Sequence, residues 1–89
     1  MFVIMAYDVN ARRVAKVLKV SRRYLVRVQN SVFEGEITPG RLEALKHELN
    51  AIIHSDEDSV LFYVWNAGKY SSREALGAEQ VSWDEINLV

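Results

Sequence analysis

The first third of the chain combines one carboxylate with many cations, a pairing suited to phosphate chemistry. Through residue 27 the chain carries seven Lys and Arg residues and a single acid, Asp8, whereas the remainder carries four basic and eleven acidic residues. The overall net charge of −1 therefore conceals a strongly basic segment. We expect that segment to bind a polyanion.

The cations lie on one side of a predicted amphipathic helix over residues 11–23, which begins after Asn10 as its N-cap. A solvated charged surface without a partner is the plain alternative. Most of these cations have no acid at i+4 that would neutralise them. We therefore predict salt-sensitive contacts with phosphates, largely independent of base sequence. The predicted nucleic-acid-binding residues are Arg12, Arg13, Lys16, Lys19, Arg23 and Arg27.

Asp8 ends an apolar run and is the candidate catalytic and metal-binding residue. Mg²⁺ prefers oxygen ligands and keeps most of its waters, but one carboxylate alone is a poor site. A two-fold axis would bring in a second Asp8, and the pair would suit a metal that activates water. The alternative is that Asp8 only orients the following turn. His47 and His54 are seven residues apart, too far along a helix to share one ion.

Two apolar runs, residues 2–8 and 59–65, predict strands buried on both faces. Residues 25–37 are rich in β-formers and predict either a hairpin or one bent strand. Thr38 and Pro39 begin a second helix with a leucine stripe, which ends before the acidic residues 56–58.

This order predicts an α+β, ferredoxin-like βαββαβ sandwich with both helices on one face. The other face needs a cover, and a second copy of the chain is the simplest one. We assign residues 1–66 to the core and 67–89 to a C-terminal extension. The extension is predicted to have a turn at residues 66–69, no definite structure over 70–80 and a short strand at 85–89. The opening apolar stretch is too short for a signal peptide or a membrane span, so we expect a cytoplasmic protein without membrane contact. The absence of cysteine excludes disulfides and thiolate metal sites.

Several motifs occur in one order along the chain. They are Tyr7-Asp8, Arg12-Arg13-Val-x-Lys16-Val-x-Lys19, Arg27-Val-Gln-Asn-Ser-Val-Phe-Glu-Gly-Glu36, the helix start at Thr38-Pro39 and the strand Asp58-Ser-Val-Leu-Phe-Tyr63. Together they resemble the small CRISPR-associated endonuclease family, the non-integrase half of the spacer-acquisition complex. The similarity runs from residue 2 to about residue 65, and residues 28–34 are its most specific part.

The resemblance implies a homodimer whose sheets face each other, with a C-terminal strand pairing across the dimer, and it implies that the extension over residues 67–89 is a dimer or partner docking segment. It implies paired Asp8 side chains that bind Mg²⁺ or another divalent cation and cut single-stranded RNA or DNA. It also implies two further partners, the CRISPR spacer integrase and the double-stranded DNA prespacer. Second-tier site residues are Tyr7, Ser31 and Phe33, although both aromatic residues also suit a core. A toxin-type endoribonuclease on the same fold and a non-catalytic RNA-binding module are the alternatives.

Overall fold

The computed structural model describes residues 1–78 and arranges them as one antiparallel sheet with two helices. The strand order is β2-β3-β1-β4-β5. The predicted α+β, ferredoxin-like fold is confirmed. In chain order the elements are β1 (Phe2–Asp8), α1 (Ala11–Ser21), β2 (Val26–Gln29), β3 (Val32–Glu36), α2 (Pro39–Asn50), β4 (Ser59–Asn66) and β5 (Lys69–Gly77).

Both helices begin where the sequence predicts, because a side chain caps each one. The Asn10 side-chain oxygen accepts the Arg12 backbone N–H at 3.0 Å, and the Thr38 hydroxyl accepts the Arg41 N–H at 3.2 Å. Pro39 supplies the first residue of α2, where no N–H is needed. Within residues 1–78, neither helix has the length and apolarity that crossing a membrane requires.

The core lies between the helices and one face of the sheet. In β1 the side chains of Val3, Met5 and Tyr7 are buried, whereas the alternate residues Phe2, Ile4 and Ala6 are only half-buried. We expected β1 to be buried on both faces. In a single chain the face toward the helices is buried, and the opposite face is only half-buried. The residues that complete the core from the other elements are Val17, Val20, Leu25, Phe33, Ile37, Leu42, Leu45, Leu49, Ile53, Val60, Phe62 and Val64.

Residues 25–37 form a hairpin rather than one bent strand. Strands β2 and β3 pair antiparallel, and their register shifts between Arg27 and Gln29. Such a bulge re-aims neighbouring side chains. The hairpin turn at Asn30 and Ser31 lies at the end of the sheet where β1 reaches Asp8, because Ala6 pairs with Val32.

Strand β5 was not predicted. The predicted turn at residues 66–69 is confirmed, with Ala67 at φ 51° and Gly68 at φ 77°, values typical of a two-residue hairpin turn. β5 then pairs with β4 of its own chain from Lys69 to Gly77. The predicted short strand at residues 85–89, and its pairing with a partner, lie outside the described residues.

Candidate functional site

Asp8 is exposed on the rim of an open groove of about 480 Å³. The end of β1, helix α1 and the β2–β3 hairpin all contribute to it. Four residues predicted from the sequence as site residues (Tyr7, Asp8, Arg27 and Ser31) are thus brought together, although they lie on β1, on β2 and in the turn between β2 and β3. Among residues 1–78 the groove is lined by Tyr7, Asp8, Val9, Val14, Arg27, Asn30 and Ser31.

The backbone carbonyl of Asn30 fixes one wall of this groove. It accepts the Tyr7 hydroxyl at 3.0 Å, and it accepts Nη2 and Nε of Arg27 at 2.9 and 3.2 Å. The Tyr7 backbone N–H also donates to the Ser31 carbonyl at 3.1 Å. A buried tyrosine hydroxyl requires such a partner. These bonds attach the hairpin turn to the end of β1 and orient Arg27, which lines the same groove as Asp8.

Of the two aromatic residues proposed for the site, Tyr7 lines the groove and Phe33 packs against the Tyr7 ring. Phe33 is fully buried and Tyr7 is 6% exposed. Their ring centroids are 6.4 Å apart in a tilted contact. The burial of Phe33 supports the alternative that its ring belongs to the core, and in this conformation the ring has no access to a ligand.

Arg13, a predicted phosphate ligand, is instead bound to carboxylates within the chain. Its side chain is 12% exposed and pairs with Asp58, at 2.5 Å from Nε to Oδ2, and with Glu57. Asp58 is fully buried and also accepts the backbone N–H groups of Asn10 and His54, each at 2.9 Å. The bond from Arg13, helped by the two N–H groups, holds the pKa of Asp58 well below its usual range.

This ion pair positions the chain that follows Asp8. Because Asp58 bonds both to Asn10, two positions after Asp8, and to Arg13 in the first turn of α1, it fixes the loop between β1 and α1. The partners are 45 residues apart, and the sequence contains no local signal for their pairing. Arg13 is therefore paired within the chain, unlike the exposed cations of α1.

The remaining cations of α1 face outward. Arg12, Lys16 and Lys19 are exposed, and they have no ion-pair partner among residues 1–78. We call these three residues the α1 stripe. At its end, the Arg23 side chain is 58% exposed and pairs with Glu48 at 2.5 Å. The acid that partners Arg23 comes from α2, so inspection of i+4 positions did not reveal it.

Sequence analysis missed a cluster around Arg23. The Arg41 guanidinium lies over the Tyr24 ring, 4.6 Å from its centroid, and Nη2 of Arg41 donates to the Arg23 carbonyl at 3.0 Å. The Tyr24 hydroxyl donates to Glu48, a bond that raises the pKa of Tyr24 and lowers that of Glu48. One signal was available, because Arg41 is a cation in the first turn of a helix, where the helix dipole disfavours it.

Asp8 is the side chain in this groove that could ligate a hard cation, most of whose coordination would then be completed by water. Asp8 is the only carboxylate among the residues that line the groove, and residues 1–78 bring no three His, Asp or Glu side chains together into a metal cluster. One or two carboxylates with several waters is the arrangement that Mg²⁺ commonly adopts in proteins. Neither His47 nor His54 lines the groove.

Comparisons with known proteins agree on one family. A family model for the CRISPR associated protein Cas2 matches residues 1–73 of this chain. The chain is 52% identical over 86 residues to the CRISPR-associated endoribonuclease Cas2 of Dictyoglomus turgidum, covering 97% of this chain and 99% of that protein. It is 55% identical over 80 residues to the protein of the same description from Thermotoga maritima, covering 90% and 92% of the two chains.

The fold has matching solved structures. The crystal structure of Streptococcus pyogenes Cas2 superposes with a TM-score of 0.68 at 40% identity, covering 74% of this chain and 87% of that chain. A Thermus thermophilus protein described as hypothetical superposes with a TM-score of 0.66 at 25% identity, covering 82% of this chain and 96% of that chain.

Proposed function

Because the chain belongs to the Cas2 family of CRISPR-associated proteins, we propose that it is the nucleic-acid-binding subunit of a CRISPR spacer-acquisition complex. The single observation that carries this proposal is the α1 stripe, whose three cations are exposed and have no acidic partner among the described residues. Phosphates of a duplex would neutralise this charge without reading base sequence. The family resemblance seen in the motifs is confirmed by the family model and the relatives.

The proposed assembly is a homodimer that also binds the spacer integrase. The sheet face opposite the helices supports the first part of this proposal, because it carries half-buried apolar side chains from Phe2, Ile4, Ala6 and Trp65. The Phe2 and Trp65 rings already pack edge to face, 6.3 Å apart. A second copy that placed the same face against this one would remove these residues from water.

A second candidate function is cleavage of single-stranded RNA at the Asp8 groove. Two observations favour it: the names of the relatives describe endoribonucleases, and Asp8 and Arg27 line one groove. Asp8, together with its copy in a dimer, would hold Mg²⁺, which when bound would neutralise phosphate charge and acidify a bound water. Arg27, already oriented by the Asn30 carbonyl, would bind the phosphate flanking the cleaved bond.

The binding proposal is tested by the salt dependence of duplex affinity. Replacing Lys16 by alanine should make the slope of log K against log salt shallower by about 0.9 for each subunit whose α1 stripe contacts the duplex, and so by about 1.8 for the proposed dimer, since each subunit loses one phosphate contact. Lys69→Ala removes the same charge from the turn between β4 and β5, and it should leave the slope unchanged. A wild-type slope near zero, or equal effects of the two substitutions, would contradict phosphate binding by α1.

The cleavage proposal is tested separately at Asp8. Purified wild-type protein and Asp8→Asn are compared on labelled single-stranded RNA with Mg²⁺ or EDTA. Metal-dependent cutting should fall by at least about 100-fold in Asp8→Asn, while duplex affinity stays within about twofold, because Asp8 contributes no cation to the stripe. Cutting that survives the substitution would assign the activity to another group or to a contaminant.

A further inference from the structure

The cluster of Arg23, Tyr24, Arg41 and Glu48 lies between the residues that follow α1 and one side of α2, from Arg41 in the first turn of that helix to Glu48 in its last turn. None of these four residues lines the Asp8 groove. We propose that Arg23 and Arg41 form a second, preorganised phosphate site, which binds the same nucleic-acid backbone as the α1 stripe. The inference rests on the proposed binding function and adds to it a site made jointly by the two helices.

Arg41 is held in one orientation without losing its charge. Its guanidinium is stacked on Tyr24, and one of its nitrogens donates to the Arg23 carbonyl. A guanidinium has five N–H donors, so most of them stay available on this exposed side chain. Ordering the planar fork in advance reduces the conformational entropy lost when it binds a phosphate.

The contacts of Arg41 differ from those of a purely structural clamp. A clamp between two helices would normally place the arginine on a carboxylate, as Arg13 does with Asp58. The Arg41 side chain has no carboxylate within ion-pair distance among residues 1–78, and the hydrogen-bond acceptor of its guanidinium there is a neutral carbonyl. Arg41 also lies in the first turn of α2, against the backbone carbonyl of Arg23. An anion bound between these cations would relieve both unfavourable features.

Glu48 controls how much of this charge a ligand can use. Its carboxylate accepts one hydrogen bond from Nη2 of Arg23 and another from the Tyr24 hydroxyl. A phosphate at Arg23 must therefore compete with the Glu48 carboxylate. Removing the Glu48 charge should therefore strengthen nucleic-acid binding if the cluster binds phosphate. If the cluster only stabilises the fold, the same change should weaken binding.

The position of the site sets the direction of the bound strand. From Arg12 to Ser21, the last residue of α1, the helix advances about 14 Å at 1.5 Å per residue. That distance corresponds to about four base-pair steps of a duplex at 3.4 Å each. A duplex that contacts both ends must run along α1, and one much shorter than four base pairs cannot reach from Arg12 to the cluster that follows α1.

The experiment compares Arg41→Ala, Arg41→Lys and Glu48→Gln with the Lys69→Ala control in duplex binding across a salt series, with thermal unfolding in parallel. Arg41→Ala should make the salt slope shallower by about 0.9 for each subunit that contacts the duplex, and so by about 1.8 for the proposed dimer. Arg41→Lys should keep the slope and weaken binding by about threefold, since it keeps the charge and loses the stacked fork. Glu48→Gln should tighten binding by about threefold or more while lowering the melting temperature, because Arg23 is released.

Two results would overturn the inference. One is an unchanged slope in Arg41→Ala, and the other is weaker binding by Glu48→Gln in proportion to its lost stability. Lys16→Ala distinguishes a failure of the second phosphate site from a failure of the proposed binding function. If it lowers the slope and Arg41→Ala does not, the stripe binds phosphate and the second site fails. If neither changes the slope, the proposed binding function fails as well.

Discussion

At the scale of single residues, Asp58 connects more of the chain than any predicted site residue does. Its carboxylate joins the loop after Asp8, the first turn of α1 and the segment after α2. Removing one partner of a buried ion pair leaves the other charge uncompensated, which costs more than the pair itself contributes. The position of Asp8 therefore depends on a residue that takes no part in any proposed chemistry.

We predict that Asp58→Asn lowers the free energy of unfolding by about 3 kcal/mol at pH 7. The pKa of Asp58 is lowered in the folded protein, so its stabilisation is complete above the unfolded pKa of about 4 and is lost as the pH falls through the folded pKa. Wild-type stability should consequently decline below about pH 5, and the decline should be shallower in Asp58→Asn. Urea unfolding between pH 3 and pH 7 measures both effects. Parallel pH profiles for the two proteins would contradict this role.

The site residues that sequence could predict are those with a local signal. Asp8 ends a strand, Ser31 and Arg27 lie in a motif, and the outward stripe of α1 follows from helical spacing. The contacts that distinguish Arg13 from Arg12 are made with a loop 45 positions away, and those of Arg41 are made with the end of α1. Only tertiary packing creates these contacts. Charge and spacing along the chain therefore could not show which cations already have a partner within the protein and which are available to a ligand.

At the scale of secondary-structure elements, the strands and helices with strong internal patterns were predicted almost to their ends. β1 and the start of α2 agree with the predicted bounds, and β4 ends at Asn66, one residue later than predicted. β5 was missed because its residues, Lys69–Gly77, are largely polar and its pairing comes from β4. An edge strand need not bury both faces, and its sequence therefore shows little of the apolar pattern that identifies a central strand.

The end of β5 depends on one glycine. Gly77 has φ +76°, and a Cβ there would overlap the Asp58 carbonyl oxygen, which itself accepts the Ala78 N–H at 2.7 Å. We predict that Gly77→Ala lowers unfolding free energy by about 2 kcal/mol or more and loosens β5, because it combines backbone strain with a backbone clash.

Gly40 provides the matched control for that substitution. No atom lies within 4 Å of a Cβ built there, and its φ is helical, so Gly40→Ala should be neutral or should stabilise α2 by up to about 1 kcal/mol. Urea unfolding gives both free energies, and amide hydrogen exchange of residues 69–77 reports on β5. Equal effects of the two alanines would show that β5 tolerates a side chain at its end.

At the scale of the whole molecule, the helices cover only one side of the sheet. The opposite side carries Ile4 and Ala6 in its middle and the Phe2–Trp65 pair at one end. In the proposed homodimer this face is the interface, and each copy supplies one α1 stripe. Two stripes on one duplex would roughly double the number of phosphate contacts, so dimerisation and the salt slope should change together.

Ile4→Glu tests that connection, because it puts a charge at the centre of the open face, where burial without a partner is costly. We predict that the wild-type protein sediments as a dimer and Ile4→Glu as a folded monomer, with a salt slope about half that of wild type. Ala44→Glu adds the same charge to an exposed position on α2 and should leave both the dimer and the slope unchanged. A dimeric Ile4→Glu protein would place the interface elsewhere. A monomer that kept the full slope would mean that one α1 stripe makes all the phosphate contacts, and the two-fold arrangement would then have no part in binding.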